Sequence, residues 1–156
     1  NRSASPVGRY LLDLHGEDPS CYAASDMLCN ALQVINHLQD CGKDYREMDR
    51  VYLPMDWISG HGTQVEALAS PHLTGQMRAV LNRCLDETRS LLLRAKPLPK
   101  QCKSKRLGAE SAVILTLAER LVDALSSDDP LARRVVFSKP RMALISLGAL
   151  FRFAFT

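Results

Sequence analysis

Apolar residues recurring at three- and four-residue spacing restrict this chain's fold more than any other feature. Leu28, Leu32, Ile35 and Leu38 follow that spacing, as do Val80, Leu81, Leu85, Leu91 and Leu92, and a third series runs Val113, Leu117, Leu121, Leu125. Such a period gathers each set on one face of an α-helix. Strand-like alternation is absent, and the β-branched residues stand singly or in pairs. The patterning predicts helices over 6–15, 20–48, 72–95, 106–126, 128–137 and 141–155. Ser5-Pro6 suits a helix start and Gly16 a stop. The acids and Pro of "DDPLARRV" (128–135) have the same start chemistry. "PMDWISGHGT" (54–63) and "KPLPKQCKSK" (96–105) read as loops. The expected fold class is all-α: one domain, or the larger part of one.

A chain of 156 residues is long enough to bury a real core. A net charge of +3 is too small to argue for nucleic acid, so no nucleic-acid partner is expected. Five cysteines with no C-x-x-C pair argue against a disulfide framework or a zinc finger and fit a reducing, cytoplasmic setting. No apolar run reaches the roughly 18–20 residues that span a bilayer. The chain opens "NRSASPVGRYLLDLHG", without Met or a signal peptide; a processed terminus, an engineered start or a fragment would each explain that.

The helix predicted over 20–48 has a second face. At about 100° per residue, Asn36, Asp40 and Asp44 fall within about 60° of Gln33, while Leu28, Ala31, Leu32, Ile35 and Leu38 gather opposite. Like charges at i and i+4 disfavour a helix by a few tenths of a kcal/mol. A solvated face is one explanation. Yet the stripe holds no Lys or Arg, although Lys43 and Arg46 flank it, and exposed faces usually mix signs. Carboxylates pointing the same way, with amide oxygens beside them, suit Mg²⁺, which takes one or two carboxylates together with substrate phosphates.

The block "LQVINHLQDCGKDYREMDRVYLP" (32–54) closely resembles the second aspartate-rich motif of the squalene/phytoene synthase family, the head-to-head isoprenyl diphosphate synthases. There an N-x-x-x-D-x-x-x-D helix precedes an R-h-Y-h-P segment, h being apolar; here these are Asn36-Asp40-Asp44 and Arg50-Val51-Tyr52-Leu53-Pro54. Upstream, "SASPVGRYLLDLHG" (3–16) resembles the family's broken helix with its Val-Gly step. Residues 96–125 are similar to its late helices. "NHLQD", with Gln39 where many phytoene synthases carry Arg, is similar to the bacterial hopanoid-associated branch.

The resemblance implies an isoprenoid synthase-type helical bundle. It implies Mg²⁺ held by Asp40 and Asp44 with Asn36 as an oxygen ligand, and Gln33 contacting the diphosphate or its metal shell. Val7 and Gly8 would lie against a prenyl chain, and Arg50 and Tyr52 would support the closing end of the cavity. The implied substrate is an isoprenyl diphosphate, presqualene or farnesyl diphosphate. The implied reaction is ionisation of the diphosphate inside a dry apolar cavity, needing no nucleophilic Ser or Cys. The hopanoid-like wording favours presqualene diphosphate converted to hydroxysqualene. Squalene or presqualene diphosphate formation and phytoene formation are the alternatives within the family.

The family's first aspartate-rich motif has no counterpart in these residues. Asp128-Asp129 precedes Pro130 and reads as a helix cap, and Glu17-Asp18 sits in a turn. Residues 1–156 therefore read as the C-terminal portion of one all-helical domain, one jaw of a two-jaw clamp, not expected to turn over substrate alone. A reading of another class is a non-catalytic helical interaction module.

Arg94, Lys96, Lys100, Lys103, Lys105 and Arg106 form a basic stretch without an acid. It reads as a solvated connection or as a surface for phosphates and anionic membrane, so a peripheral membrane contact is a further expectation. His37 beside the stripe is a ligand or, more simply, a surface histidine. Cys29 and Cys41 read as small packing residues. "MALISLGALFRFAFT" (142–156) reads as a buried terminal helix, or as one lying on a membrane or lining a prenyl tunnel.

Overall fold

The computed structural model describes residues 3–155. Its elements are α1 (Ala4–Leu14), a 3-10 turn (Pro19–Cys21), α2 (Tyr22–Met48), α3 (Met55–Gly60), a second 3-10 turn (Val65–Ala69), α4 (Gly75–Ala95), α5 (Leu98–Gln101), α6 (Lys105–Ser127) and α7 (Lys139–Ala154). No strand occurs among the described residues, so the all-α expectation holds. No helix among them is long and apolar enough to cross a membrane.

The chain divides into two compact units. The first takes in the chain up to Gln33, Arg89–Arg120 and the chain from Phe137 on; the second is Val34–Thr88 with Leu121–Val136. In the first unit the core is built from Leu12, Ala24, Leu28, Ala31, Leu92, Leu98, Leu115 and Ala118. In the second it is Ile35, Leu38, Ile58, Leu68, Met77, Leu81, Leu85, Val122 and Leu125. Along α6 the fully buried line is Leu115, Ala118, Val122, Leu125. The predicted series is offset from it: Val113, Leu117 and Leu121 are only half-buried. The apolar face of α6 is broad, and its centre falls on small Ala118. At Gly108 a Cβ would lie 2.5 Å from the Pro99 carbonyl oxygen and 3.0 Å from Phe153 Cζ, so only glycine fits that approach. Burial pushes the Cys41 and Cys84 thiols up to about 11, which keeps them protonated packing groups at neutral pH.

Several expectations are corrected. Residues 128–137 form no helix: a turn at 130–132 leads into an extended run at 134–138. The Asp129 carboxylate accepts from the backbone N–H of Leu131 and Ala132 at 2.9 and 3.3 Å, and from Leu73 N at 2.9 Å. These bonds satisfy a turn that competes with a helix start. Arg78 donates to the Leu125 and Asp128 carbonyls at 2.9 and 2.6 Å, closing the end of α6. The two predicted loops hold α3 and α5. Pro54 stands at the N-cap of α3, and the Arg83 guanidinium lies 4.1 Å from the Trp57 ring centroid. The helix α1 is unbroken through Val7-Gly8.

The terminal helix departs from the simple buried reading. Within α7 Ala149 is buried, whereas Leu144, Leu147 and Phe151 are 73, 65 and 64% exposed. Val7, Tyr10, Leu11 and Leu14 form a similar exposed apolar stripe on α1. The basic stretch is partly neutralised by acids: Lys96 pairs with Glu119 at 3.5 Å, Lys103 with Asp18 at 4.0 Å and Arg106 with Glu110 at 3.1 Å.

Candidate active site

The acidic stripe lies on α2. Its residues are sorted by burial as the helical spacing predicts: Leu28, Ala31, Ile35 and Leu38 are buried, Asn36 is exposed, and Asp40 and Asp44 are half-buried. Gln33 is also half-buried on the same helix, at the residue where the first compact unit ends.

Arg134 closes onto the centre of the stripe. Its Nε lies 2.7 Å from one Asp40 oxygen and its Nη2 donates to the other at 3.0 Å. The same Nη2 donates to Asn36 Oδ1 at 3.2 Å. One cationic nitrogen thus touches an amide oxygen and a carboxylate oxygen that stand one helical turn apart. A forked pair of this kind is among the stronger charge-assisted contacts. The donor set, hard oxygens converging on one positive point, is the chemistry Mg²⁺ takes. Asn36 and Asp40 therefore fit the metal that the resemblance implies, with the Asp44 carboxylate one helical turn on.

Arg134 is held there by the buried side of α2. Gln39, 8% exposed, donates from Nε2 to the Val135 carbonyl at 2.5 Å. That bond ties the extended run at 134–138 to the helix one residue away from Arg134. Gln39 therefore does not belong to the acid stripe; it points into the core. Leu131 and Val135 are buried beside it in sequence, which fixes the run further.

Asp44 is served from the other side. α2 ends at Met48, and the φ of +52° at Asp49 lies in the left-handed region, which Asp tolerates better than most residues. Asp49 N then donates to the Tyr45 carbonyl at 3.0 Å and Arg50 N to the Asp44 carbonyl at 3.2 Å; the first of these is the bond of an αL-type helix ending. The reversal brings Tyr52 back along the helix. Its hydroxyl donates to Asp44 Oδ2 at 2.7 Å and its ring stacks on His37, centroids 4.0 Å apart at 15°. The bond to Asp44 and burial push the Tyr52 hydroxyl up, against the pull of nearby Arg50, so it remains a donor at neutral pH. His37, adjacent to the stripe, is thus engaged by an aromatic face.

The upstream pair lies in the first unit. Val7 is 60% exposed. A Cβ on Gly8 would stand 2.6 Å from Cys29 Sγ and 2.8 Å from Ser25 Oγ, so close packing of α1 on α2 accounts for the glycine. The same two helices are clamped by Arg9, whose guanidinium donates to both Asp26 oxygens at 3.0 and 2.5 Å, and by Ser5 donating to Asn30 at 3.1 Å.

Sequence reasoning missed Arg134 and the true place of Gln39. Arg134 lies 94 residues from Asp40 in a segment whose helical prediction is wrong, so no local signal pointed to it. Gln39 did leave a signal: at about 100° per residue it falls among the apolar residues of α2.

Comparison with known proteins gives the family of the chain. The squalene/phytoene synthase family model matches residues 1–141. A hydroxysqualene synthase of Rhodopseudomonas palustris is 44% identical over 148 residues, 95% of this chain and 51% of that protein. One of Zymomonas mobilis is 46% identical over 137 residues, 88% and 46% of the respective chains. The crystal structure of squalene synthase HpnC from Alicyclobacillus acidocaldarius is similar with a TM-score of 0.72 at 27% identity, over 79% of this chain and 46% of that one. The chain spans about half the length of the curated relatives it matches. It belongs to the squalene/phytoene synthase family.

Proposed function

We propose that this chain carries the second acidic motif of a Mg²⁺-dependent synthase that converts presqualene diphosphate to hydroxysqualene. The observation that supports it most is the guanidinium of Arg134 shared by Asn36 and Asp40, in a chain of this family. A point that already accepts a cation between those oxygens is where a divalent ion would be held, with Asp44 one turn on. The metal, when bound, would supply Lewis-acid stabilisation of the departing diphosphate.

The chain's own residues do the rest. Asn36, Asp40 and Asp44 bind. Tyr52 orients Asp44 through its hydroxyl, and Gln39 orients Arg134 through the Val135 carbonyl. Arg134, whose fork matches phosphate oxygens as well as carboxylate, grips the diphosphate. Gln33 stands on the diphosphate side of the same helix, Val7 lies along the prenyl chain with Gly8 seating α1 on α2 behind it, and Arg50 supports the closing end. The reading takes residues 1–156 as the C-terminal portion of one all-helical domain. The remainder of such a synthase brings the opposing acidic helix and covers the exposed apolar stripes of α1 and α7. A cytoplasmic enzyme with peripheral membrane contact fits such a lipid substrate.

The test is product identity. The matching segment of the R. palustris hydroxysqualene synthase is replaced by this chain and offered presqualene, farnesyl and geranylgeranyl diphosphates with Mg²⁺. Hydroxysqualene from presqualene diphosphate is expected. Phytoene as the sole product would overturn the substrate assignment, and an inactive but folded, substrate-binding hybrid would favour the non-catalytic module.

A further inference from the structure

Away from the acidic stripe, in the first compact unit, three potential metal ligands meet in the interior. One carboxylate oxygen of Glu17 and the sulfurs of Cys21 and Cys102 all lie within 4.8 Å of one another. Glu17 follows α1, Cys21 ends the first 3-10 turn, and Cys102 stands between α5 and α6. Their exposures are 6, 0 and 7%, so the cluster is closed to bulk water while Cys102 stays at its rim.

The carboxylate is fixed in place. Glu17 accepts from the backbone N–H of Lys103 at 2.6 Å and Ser104 at 2.9 Å. Each oxygen keeps a further lone pair for a ligand. Beside it, the Cys21 thiol points at the Gln101 carbonyl oxygen, 3.5 Å away. A buried carboxylate and two sulfurs therefore meet in one small volume, with a carbonyl oxygen beside one of the sulfurs.

We propose that Glu17, Cys21 and Cys102 form a binding site for a thiophilic divalent cation of the zinc class, with the Gln101 carbonyl or a water as fourth donor. Zinc takes sulfur at about 2.3 Å and carboxylate oxygen at about 2.0–2.2 Å in a tetrahedron, a span that these ligand separations accommodate. Sulfur donors select zinc-like ions and reject Mg²⁺, which takes oxygen, so this site and the acidic stripe take different metals. On binding, each thiol releases its proton to solvent and both sulfurs coordinate as thiolates. The bound ion would staple the start of α2 to the start of α6. Spacing alone could not reveal the site, because Cys102 stands far along the chain from the Glu17–Cys21 pair.

The test uses reduced, metal-free protein titrated with Co²⁺ as a spectroscopic probe and then with Zn²⁺ as competitor. One equivalent is expected to bind with sulfur-to-cobalt charge-transfer absorption, bleached by Zn²⁺ and untouched by excess Mg²⁺. Cys21→Ser and Cys102→Ser abolish the absorption, whereas Cys29→Ser and Cys84→Ser keep it. Glu17→Gln keeps the sulfur absorption but weakens Zn²⁺ by about tenfold or more. Circular dichroism checks the fold of each variant. Should a Cys variant unfold, Glu17→Gln decides, and unchanged Zn²⁺ affinity there overturns the site. Absence of the absorption in the unmutated protein, or its survival in a folded Cys102→Ser, also overturns it. None of these readouts depends on turnover, so the site stands or falls separately from the proposed synthase activity.

Discussion

Arg134 forks onto Asp40, with Nε 2.7 Å from one carboxylate oxygen and Nη2 3.0 Å from the other. The pair joins the run at 134–138 to a helix, and its positive charge marks the point where the proposed chemistry puts a divalent ion. The Arg134 side chain is 53% exposed. Exposed pairs contribute about 0–1 kcal/mol, so its value lies in charge placement more than in stability. In the hybrid synthase carrying this chain Arg134→Gln is expected to lower turnover by about 10²-fold while shifting stability by less than about 1 kcal/mol. Arg134→Lys keeps the charge without the fork and recovers only part of the rate. Steady-state kinetics with parallel urea melts checks both halves of this prediction.

Gln39 acts one step behind Arg134. Replacing it with Leu leaves the buried Val135 carbonyl without its donor, and an orphaned buried acceptor costs about 1–3 kcal/mol. Gln39→Leu is therefore expected to destabilise by that amount and to loosen Arg134. Chemical denaturation reads the first effect. NMR of the Arg134 Nε–H reads the second, as a signal that broadens or moves when the run is no longer tied to α2.

Asp129 carries a pH signature. Its partial burial acts to raise its pKa, but the N–H donors of Leu73, Leu131 and Ala132, with His72 nearby, outweigh that and hold it below the ordinary 3.8. A carboxyl depressed in the folded state stabilises above its unfolded pKa, and that contribution is lost as pH falls through the folded value. Stability is thus expected to decline as pH drops below about 4, with a shallower acid limb in Asp129→Asn. Asp129→Ala, which removes the acceptor of the Leu73 and Leu131 N–H groups outright, is expected to cost about 1–3 kcal/mol at neutral pH. Thermal melts across the acid range test both.

Gly108 tests the packing of the first unit. With the Pro99 carbonyl oxygen 2.5 Å from a would-be Cβ, backbone has to move to admit a methyl group. Gly108→Ala is expected to destabilise by about 1–3 kcal/mol despite the better helix propensity of Ala. A melting temperature equal to or above that of the unmutated protein would show the approach to be looser than the structure has it.

The helix α2 was legible because one helical period sorts apolar residues from a stripe of acids and amides, and burial follows that sorting from Leu28 to Asp44. The long helices α4 and α6 were legible for the same reason. What escaped lies where side chains override local patterning. Asp129 spends its carboxylate on a turn, so the acids and Pro of 128–130 start no helix. Arg134 reaches the site from that misread segment, and its partnership with Asp40 is purely tertiary. Glu17, Cys21 and Cys102 are likewise joined only by the fold.

The most direct test of the central claim is Mg²⁺-dependent turnover of presqualene diphosphate by the hybrid synthase carrying this chain with Asp40→Ala or Asp44→Ala. If these carboxylates hold the metal, each variant folds normally and loses at least about 10²-fold in rate, with Asn36→Ala falling less. Unchanged, Mg²⁺-dependent turnover in both aspartate variants would contradict the account.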